Sequence, residues 1–201
     1  MLILASKSPR RSELLNSAGV LFEQIPANID ESPKTGELPG DLVLRLAKEK
    51  ARVLGKEYKD RFILSGDTVV VLDSSGMQQI LGQPNDAADA RNMLRRLSGS
   101  KHSVYSSFAL YCEKEEYLSA EVVKTEVLIR TLSDEEIAGY VATGEPLDKA
   151  GAYAIQGKGA GLVKEINGSY TSVVGLPLAE VLVLLQKVGI WKPAHYSEAK
   201  I

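Results

Sequence analysis

The chain has 201 residues, with 24 Lys plus Arg against 26 Asp plus Glu, giving a formal net charge of −2 when both histidines are neutral. Its 44% apolar and 25% charged composition is that of an ordinary folded domain and excludes disordered, collagen-like and membrane-embedded classes. A near-neutral balance with a pI near 5.8 lacks the basic surplus of a protein that coats nucleic acid, leaving room for a local basic pocket that takes one small phosphate ligand.

The single cysteine, Cys112, cannot form an intramolecular disulfide, and one thiol with His102 and His195 is too little for a Cys/His zinc site. A reducing, cytoplasmic setting fits. Met1 to Leu4 is too short for a signal peptide, and no apolar run approaches the roughly 18 to 20 residues of a membrane span. A soluble, unprocessed chain with no membrane partner is expected. Without repeats, low-complexity tracts or a clear linker, one continuous domain is expected too.

In chain order, Leu2 to Ala5 reads as a buried strand, and Ser8-Pro9 as the cap and first turn of a helix with Leu14, Leu15 and Ala18 on one face, ended by Gly19. Phe22 to Ile25 predicts a short strand, 28–40 a polar loop, and 41–55 a helix with Leu42, Leu46, Val53 and Leu54 among its apolar positions. Phe62 to Leu72 predicts a long strand interrupted by Gly66, turned by Asp73-Ser74-Ser75-Gly76 into a hairpin with Gln79 to Leu81. A helix over 86–97 follows, then two antiparallel strands over 104–112 and 120–129 joined across 113–118. Ser133 with Glu136 marks a capping box, 151–161 is Gly-rich, and 177–188 predicts a last apolar helix. The class is mixed α/β.

Two segments invite chemistry. Arg10 and Arg11 stand in the first turn of a helix, where the dipole favours acidic groups; either an anionic ligand such as phosphate explains them, or they are solvated. Asp67 lies inside an apolar strand beside Gly66, so its carboxylate either meets a cation or ligand, or caps a strand bulge. Asp30-Glu31 adds hard oxygen donors of the kind Mg²⁺ or Mn²⁺ prefers. Phosphate donors, acidic oxygens and a carboxylate able to orient water together suit hydrolysis of a phosphate ester or anhydride.

The segments Ala5-Ser6-Lys7-Ser8-Pro9-Arg10-Arg11, Glu13-Leu14-Leu15, Ile29-Asp30-Glu31, 45–51 (RLAKEKA), Gly66-Asp67-Thr68-Val69-Val70 and 148–157 (DKAGAYAIQG) occur in an order that resembles the Maf family of nucleoside triphosphate pyrophosphatases. The resemblance runs from about residue 2 to about 190. It implies a mixed twisted sheet flanked by helices, in an elongated, two-lobed single domain with a central cleft of the Maf/ITPase-like kind over residues 1–193. The residues 194–201 are expected to form a disordered tail. The implied reaction is hydrolysis between the α and β phosphates of a nucleoside triphosphate, with a divalent metal.

By the same resemblance Asp67 is the general base, Arg10, Arg11 and Lys50 bind phosphate, Glu31 and Asp67 are metal carboxylates, and Ser8 contacts substrate. Arg11, Thr68 and Gln156 match the branch acting on dTTP and UTP; a Gln amide offers both a donor and an acceptor to the O4 and N3–H edge of thymine or uracil. A nucleotide substrate, a homodimer and action on modified pyrimidine nucleotides are also implied. The alternatives are a nucleotide- or protein-binding regulator with little turnover, and a pyrophosphatase for 7-methyl-GTP or purine triphosphates.

One position departs from the family pattern: Gln83 in Gly82-Gln83-Pro84 stands where Lys is usual, replacing a cation with a neutral amide and predicting altered affinity. Gly157 to Gly161 resembles a phosphate loop but lacks the Gly-Lys-Ser/Thr ending, so it reads as a flexible turn beside the base pocket. Ser98 to Lys101 fits Ser-x-x-Lys without any supporting motif. His102 and His195 read as surface or structural, Cys112 as a small core residue and 113–116 as a solvated hairpin tip.

Overall fold

The computed structural model describes residues 1–74 and 77–194. Of the expected tail 194–201, residues 195–201, His195 among them, lie outside the described residues, as do the turn residues Ser75 and Gly76. Seven strands form one mixed sheet in the order β2-β1-β3-β5-β6-β7, with β4 paired to β3.

The chain opens with β1 (Leu2–Ala5), every residue of which is buried. It pairs in parallel with β2 (Phe22–Gln24) on one side and β3 (Ile63–Ser74) on the other, in the register Leu2↔Phe22 and Ile3↔Ile63. Burial of its side chains on both faces of the sheet explains the unbroken apolar run. Between β1 and β2 lies α1 (Pro9–Ser17), with Ser8 as N-cap and Pro at the start. Gly19, at φ 67°, closes it by donating to the Asn16 carbonyl at 3.0 Å.

Next, α2 (Pro39–Glu57) begins two residues earlier than the apolar pattern predicts, because proline is tolerated in a first turn. Its buried face is Leu42, Val43, Leu46, Ala47, Lys50, Ala51 and Leu54. Val53, expected on that face, is 44% exposed. In place of an interrupted strand, β3 runs unbroken through Gly66 and turns into β4 (Met77–Leu81), the antiparallel pairing running from Val70↔Leu81 to Ser74↔Met77.

Then α3 (Ala87–Leu97) follows, its N-cap Asp86 accepting from the Asp89 N–H. The next pair, β5 (Lys101–Cys112) and β6 (Tyr117–Ile129), are neighbours, each about three residues longer at its start than expected. The predicted capping box is present on α4 (Asp134–Ala142). A 3₁₀ turn, Glu145–Asp148, precedes the Gly-rich stretch, which lies in two more, Ala150–Ala152 and Gly157–Leu162. After them come β7 (Val163–Asn167), antiparallel to β6, then α5 (Tyr170–Val174) and α6 (Leu178–Lys187).

The α/β domain divides into two compact units. Among the described residues, the first comprises 1–67, 106–123 and 175–194, and the second the described residues of 68–105 and 124–174. In the first, Ile3, Ala5, Ala47, Ala51, Leu54, Ile63 and Ala109 form a core between α2 and the sheet. Two buried hydroxyls fix that helix: Ser65 Oγ donates to the Ala47 carbonyl and Ser107 Oγ to the Val43 carbonyl, each at 2.6 Å. The core of the second unit gathers Leu94 and Leu97 of α3, Val127 and Ile129 of β6, Ile137 and Val141 of α4, and Tyr153. Cys112 is a buried free thiol and residues 113–116 are exposed, as expected. His102 is buried rather than at the surface.

Candidate functional site

Lys50 and Asp67 occupy facing positions of α2 and β3 in the first unit, and both are buried. Lys50 Nζ donates to Asp67 Oδ1 at 2.8 Å. The same ammonium lies 2.9 Å from Glu31 Oε1, a carboxylate from the loop before α2 whose side chain is 57% exposed. The placement follows from local structure: Lys50 lies three and seven residues beyond Ala47 and Val43, the two carbonyls pinned by strand serines, so it shares their face of the helix. Asp67 is two residues beyond Ser65 on β3 and so shares that residue's side of the strand.

The junction of β1 and α1 builds the second part. The Ser8 side chain caps nothing; its N–H donates to Ser6 Oγ at 3.1 Å. Arg11 Nη1 donates to the same Oγ at 3.1 Å, while Arg11 Nε donates to the Gly175 carbonyl at 2.7 Å. Arg11 therefore folds back onto the sheet end. Burial pushes its guanidinium down from the ordinary value, Asp67 and Glu31 oppose that, and Arg10 adds to it. Arg10, Arg11, Glu31, Lys50 and Asp67 thus belong to one electrostatic neighbourhood, with three cations against two carboxylates.

Gly66 is required there. A Cβ at this position would stand 2.8 Å from the Ser107 carbonyl and 3.5 Å from Arg11 Nε, so the glycine lets β5 and the Arg11 side chain approach the strand closely. Ser107 and Gly175 were not singled out in the sequence. The usable signal for Ser107 was a serine at an apolar strand position, which needs a partner once buried.

Ser8 and Arg10 are partly exposed residues of the first unit, while Thr68 and Gln156, also partly exposed, belong to the second. Gln83 is exposed and its Nε2 donates to the Asp148 carbonyl at 3.1 Å. The segment 157–161, expected as a turn, lies in a 3₁₀ turn with Gly159 buried and with the Lys158 and Gly159 N–H groups on Glu145.

Among the described residues no cluster of three or more His, Cys, Asp or Glu side chains could hold a metal ion unaided. The donor set Glu31 and Asp67, two hard carboxylates drawn to one point by Lys50, does fit Mg²⁺ or Mn²⁺, since such ions keep several waters and take further ligands from substrate phosphates.

The fold is a mixed α/β sheet with arginines at a helix start and a buried Lys–Asp pair. A sequence model of the family described as Maf-like protein matches residues 1–188, and the chain belongs to that family. It is 51% identical over 188 residues to a protein of Citrifermentans bemidjiense named dTTP/UTP pyrophosphatase, covering 94% of this chain and 95% of that one. Proteins of the same name are 52% identical in Geobacter sp. strain M21, over 94% of this chain and 95% of the relative, and 48% identical in Myxococcus xanthus, over 98% and 97%. No helix among the described residues is long and apolar enough to cross a membrane.

Proposed function

We propose that this chain is a nucleoside triphosphate pyrophosphatase that hydrolyses dTTP and UTP, and modified pyrimidine nucleotides with them, to the nucleoside monophosphate and pyrophosphate. The observation that carries the reading is the buried Lys50 ammonium held between Asp67 at 2.8 Å and Glu31 at 2.9 Å. Relatives named dTTP/UTP pyrophosphatase, about half identical over nearly the whole chain, support it.

Arg10, Arg11 and Lys50 bind the triphosphate, with Arg11 aligned by Ser6 and Gly175. Planar guanidinium donors suit phosphate oxygens, and a partly buried site strengthens each bond. Ser8 adds a polar contact at the start of α1. Asp67 is the general base: one carboxylate oxygen stays on Lys50 while the other accepts the proton of the attacking water. That water forms a bond to the α-phosphorus as the bridge to the β-phosphate breaks, and pyrophosphate leaves.

A Mg²⁺ or Mn²⁺ ion held by Glu31 and Asp67 would neutralise charge on the phosphoryl oxygens. Thr68 and Gln156 select the base, the Gln amide pairing with the O4 and N3–H edge of uracil or thymine, an edge cytosine lacks. A cytoplasmic setting agrees with the buried free thiol of Cys112. The homodimer implied by the family resemblance is tested by sedimentation of the purified chain.

The deciding experiment is pyrophosphate release from a panel of dTTP, UTP, CTP, GTP, ATP and 7-methyl-GTP with Mg²⁺ or Mn²⁺. Release led by dTTP and UTP is expected. Release led by a purine or methylated guanine nucleotide would move the chain to another branch. Binding without release would favour a regulator, a reading that the neutral Gln83 at a position usually Lys keeps in play.

A further inference from the structure

The glycine-rich segment after Gln156 is an anion-binding turn whose anion comes from the protein itself. Gly157 adopts φ 63°, and the next two N–H groups converge on one carboxylate: Lys158 N–H donates to Glu145 Oε2 at 3.0 Å and Gly159 N–H to Glu145 Oε1 at 2.8 Å. Successive amides around a left-handed residue form a concavity for negative charge. Here Glu145 fills it.

A second bond set closes the other side. Tyr140 Oη donates to Glu145 Oε1 at 2.9 Å and accepts the Ala154 N–H at 3.1 Å. One Tyr–Glu pair, from α4 and the 3₁₀ turn after it, therefore holds the backbone at residue 154 and again at 158–159. Gln156 sits midway between the two fixed points. The space is full as well: a Cβ on Gly157 would lie 2.7 Å from Glu145 Oε2, and one on Gly159 would lie 2.4 Å from the Ala154 carbonyl and 2.5 Å from Tyr140 Oη.

Burial alone would raise the Glu145 carboxyl, but the Lys158 and Gly159 amides, the Tyr140 hydroxyl and Lys149 outweigh it and hold the group below the usual carboxylate range. It is therefore a charged acceptor at neutral pH, and charge-assisted bonds are about twice as strong as neutral ones. Such a clamp is needed because Gly-Lys-Gly-Ala-Gly has little side-chain bulk with which to pack, and glycine loses the most conformational freedom on ordering.

We propose that the Tyr140–Glu145 pair is a positioning device that sets the Gln156 amide and thereby the base selectivity of the enzyme. This rests on the reading of Gln156 as the base-recognising residue. A donor–acceptor pair discriminates only while held in register, and misplacement by about 1 Å can cost about a hundredfold.

The test is the ratio of kcat/KM for dTTP to that for CTP in the full-length protein, its Glu145→Gln, Tyr140→Phe and Gln156→Ala variants, and the Glu145→Gln/Gln156→Ala double variant. Glu145→Gln is expected to lower the ratio about tenfold, with the loss in KM for dTTP rather than in kcat. Tyr140→Phe should move it the same way by less, and this milder change carries the test if Glu145→Gln does not fold. Gln156→Ala should lower the ratio at least as far, and the double variant no further, because the pair acts through Gln156. An unchanged ratio in both Glu145→Gln and Tyr140→Phe, beside a collapsed one in Gln156→Ala, overturns the positioning role and leaves the base reading intact. Fully additive losses overturn it too, as the mark of general weakening. An unchanged ratio in Gln156→Ala removes both.

Discussion

Lys50 donates from Nζ to Asp67 Oδ1 across 2.8 Å with side-chain exposures of 9% and 11%, whereas the Glu31 carboxylate on the same ammonium is 57% exposed. One cation thus joins a buried partner and a solvated one. Removing one member of a buried pair leaves an uncompensated charge and costs about 3 to 5 kcal/mol, while exposed pairs contribute about 0 to 1 kcal/mol. Lys50→Met should therefore lower stability by about 3 kcal/mol in denaturant titration, and Glu31→Gln by under about 1 kcal/mol. Equal losses would mean that the two carboxylates are not distinguished by burial.

Asp67→Asn separates chemistry from folding. The amide oxygen can still accept from Lys50 Nζ, so the fold should persist, but the group no longer takes a proton from water. We expect kcat for dTTP to fall by about 10² to 10⁴ while nucleotide binding stays measurable by calorimetry. Turnover like that of the unaltered protein would remove Asp67 as the base.

Arg11 makes two bonds from different nitrogens, Nη1 to Ser6 Oγ and Nε to the Gly175 carbonyl. A lysine keeps the charge but not the fork. Arg11→Lys should raise KM for dTTP about tenfold, with a smaller effect on kcat, in steady-state kinetics. An unchanged KM would show that charge alone matters at this position.

How much of this was legible in the sequence depended on whether a feature is local. The β1–α1 junction, the Ser133–Glu136 box and the helix α3 follow from residues close in sequence, and all appear as expected. Periodicity failed on α2, where it placed Val53 inside; Val53 is 44% exposed and Lys50 7%, because a pattern of apolar residues cannot register a lysine buried by a strand carboxylate 17 positions away. Lys50 was legible as a phosphate donor beside Arg10 and Arg11 and through the family resemblance, but not as a buried residue. The Val-Lys-Glu-Ile-Asn of β7 has no clean alternation to mark it, its charged pair being exposed beyond β6. Glu145-Pro146 looks like ordinary loop sequence, and its role emerges only when residues 154–159 fold back on it.

Gln83 donates to the Asp148 carbonyl at 3.1 Å from an exposed position. A lysine there keeps a donor and adds a charge, so Gln83→Lys should leave the unfolding free energy within about 0.5 kcal/mol of the original. KM for dTTP should fall severalfold, more at low salt than at high, because charge-assisted bonds to phosphate strengthen binding and exposed charges are screened. Identical KM and kcat at both salt concentrations would make the position electrostatically irrelevant.

His102 ties stability to pH. Its Nε2 lies 2.7 Å from Tyr153 Oη, its Nδ1 is buried with no hydrogen-bond partner, and burial pushes the imidazole down to about 4. The unfolded chain takes up that proton near pH 6.5 and the folded one only near 4, so between these values the unfolded state binds more protons and stability falls as the solution is acidified. The contribution is whole above pH 6.5, declines through the window and amounts to about 3 kcal/mol in total. Carboxylates with depressed values, Glu145 among them, add losses in the same direction near and below pH 4.5, so the range from 4.5 to 6.5 isolates the histidine. Denaturation midpoints across that range should drop steadily in the unaltered protein and stay nearly flat in His102→Gln; parallel slopes in the two would place the proton uptake elsewhere.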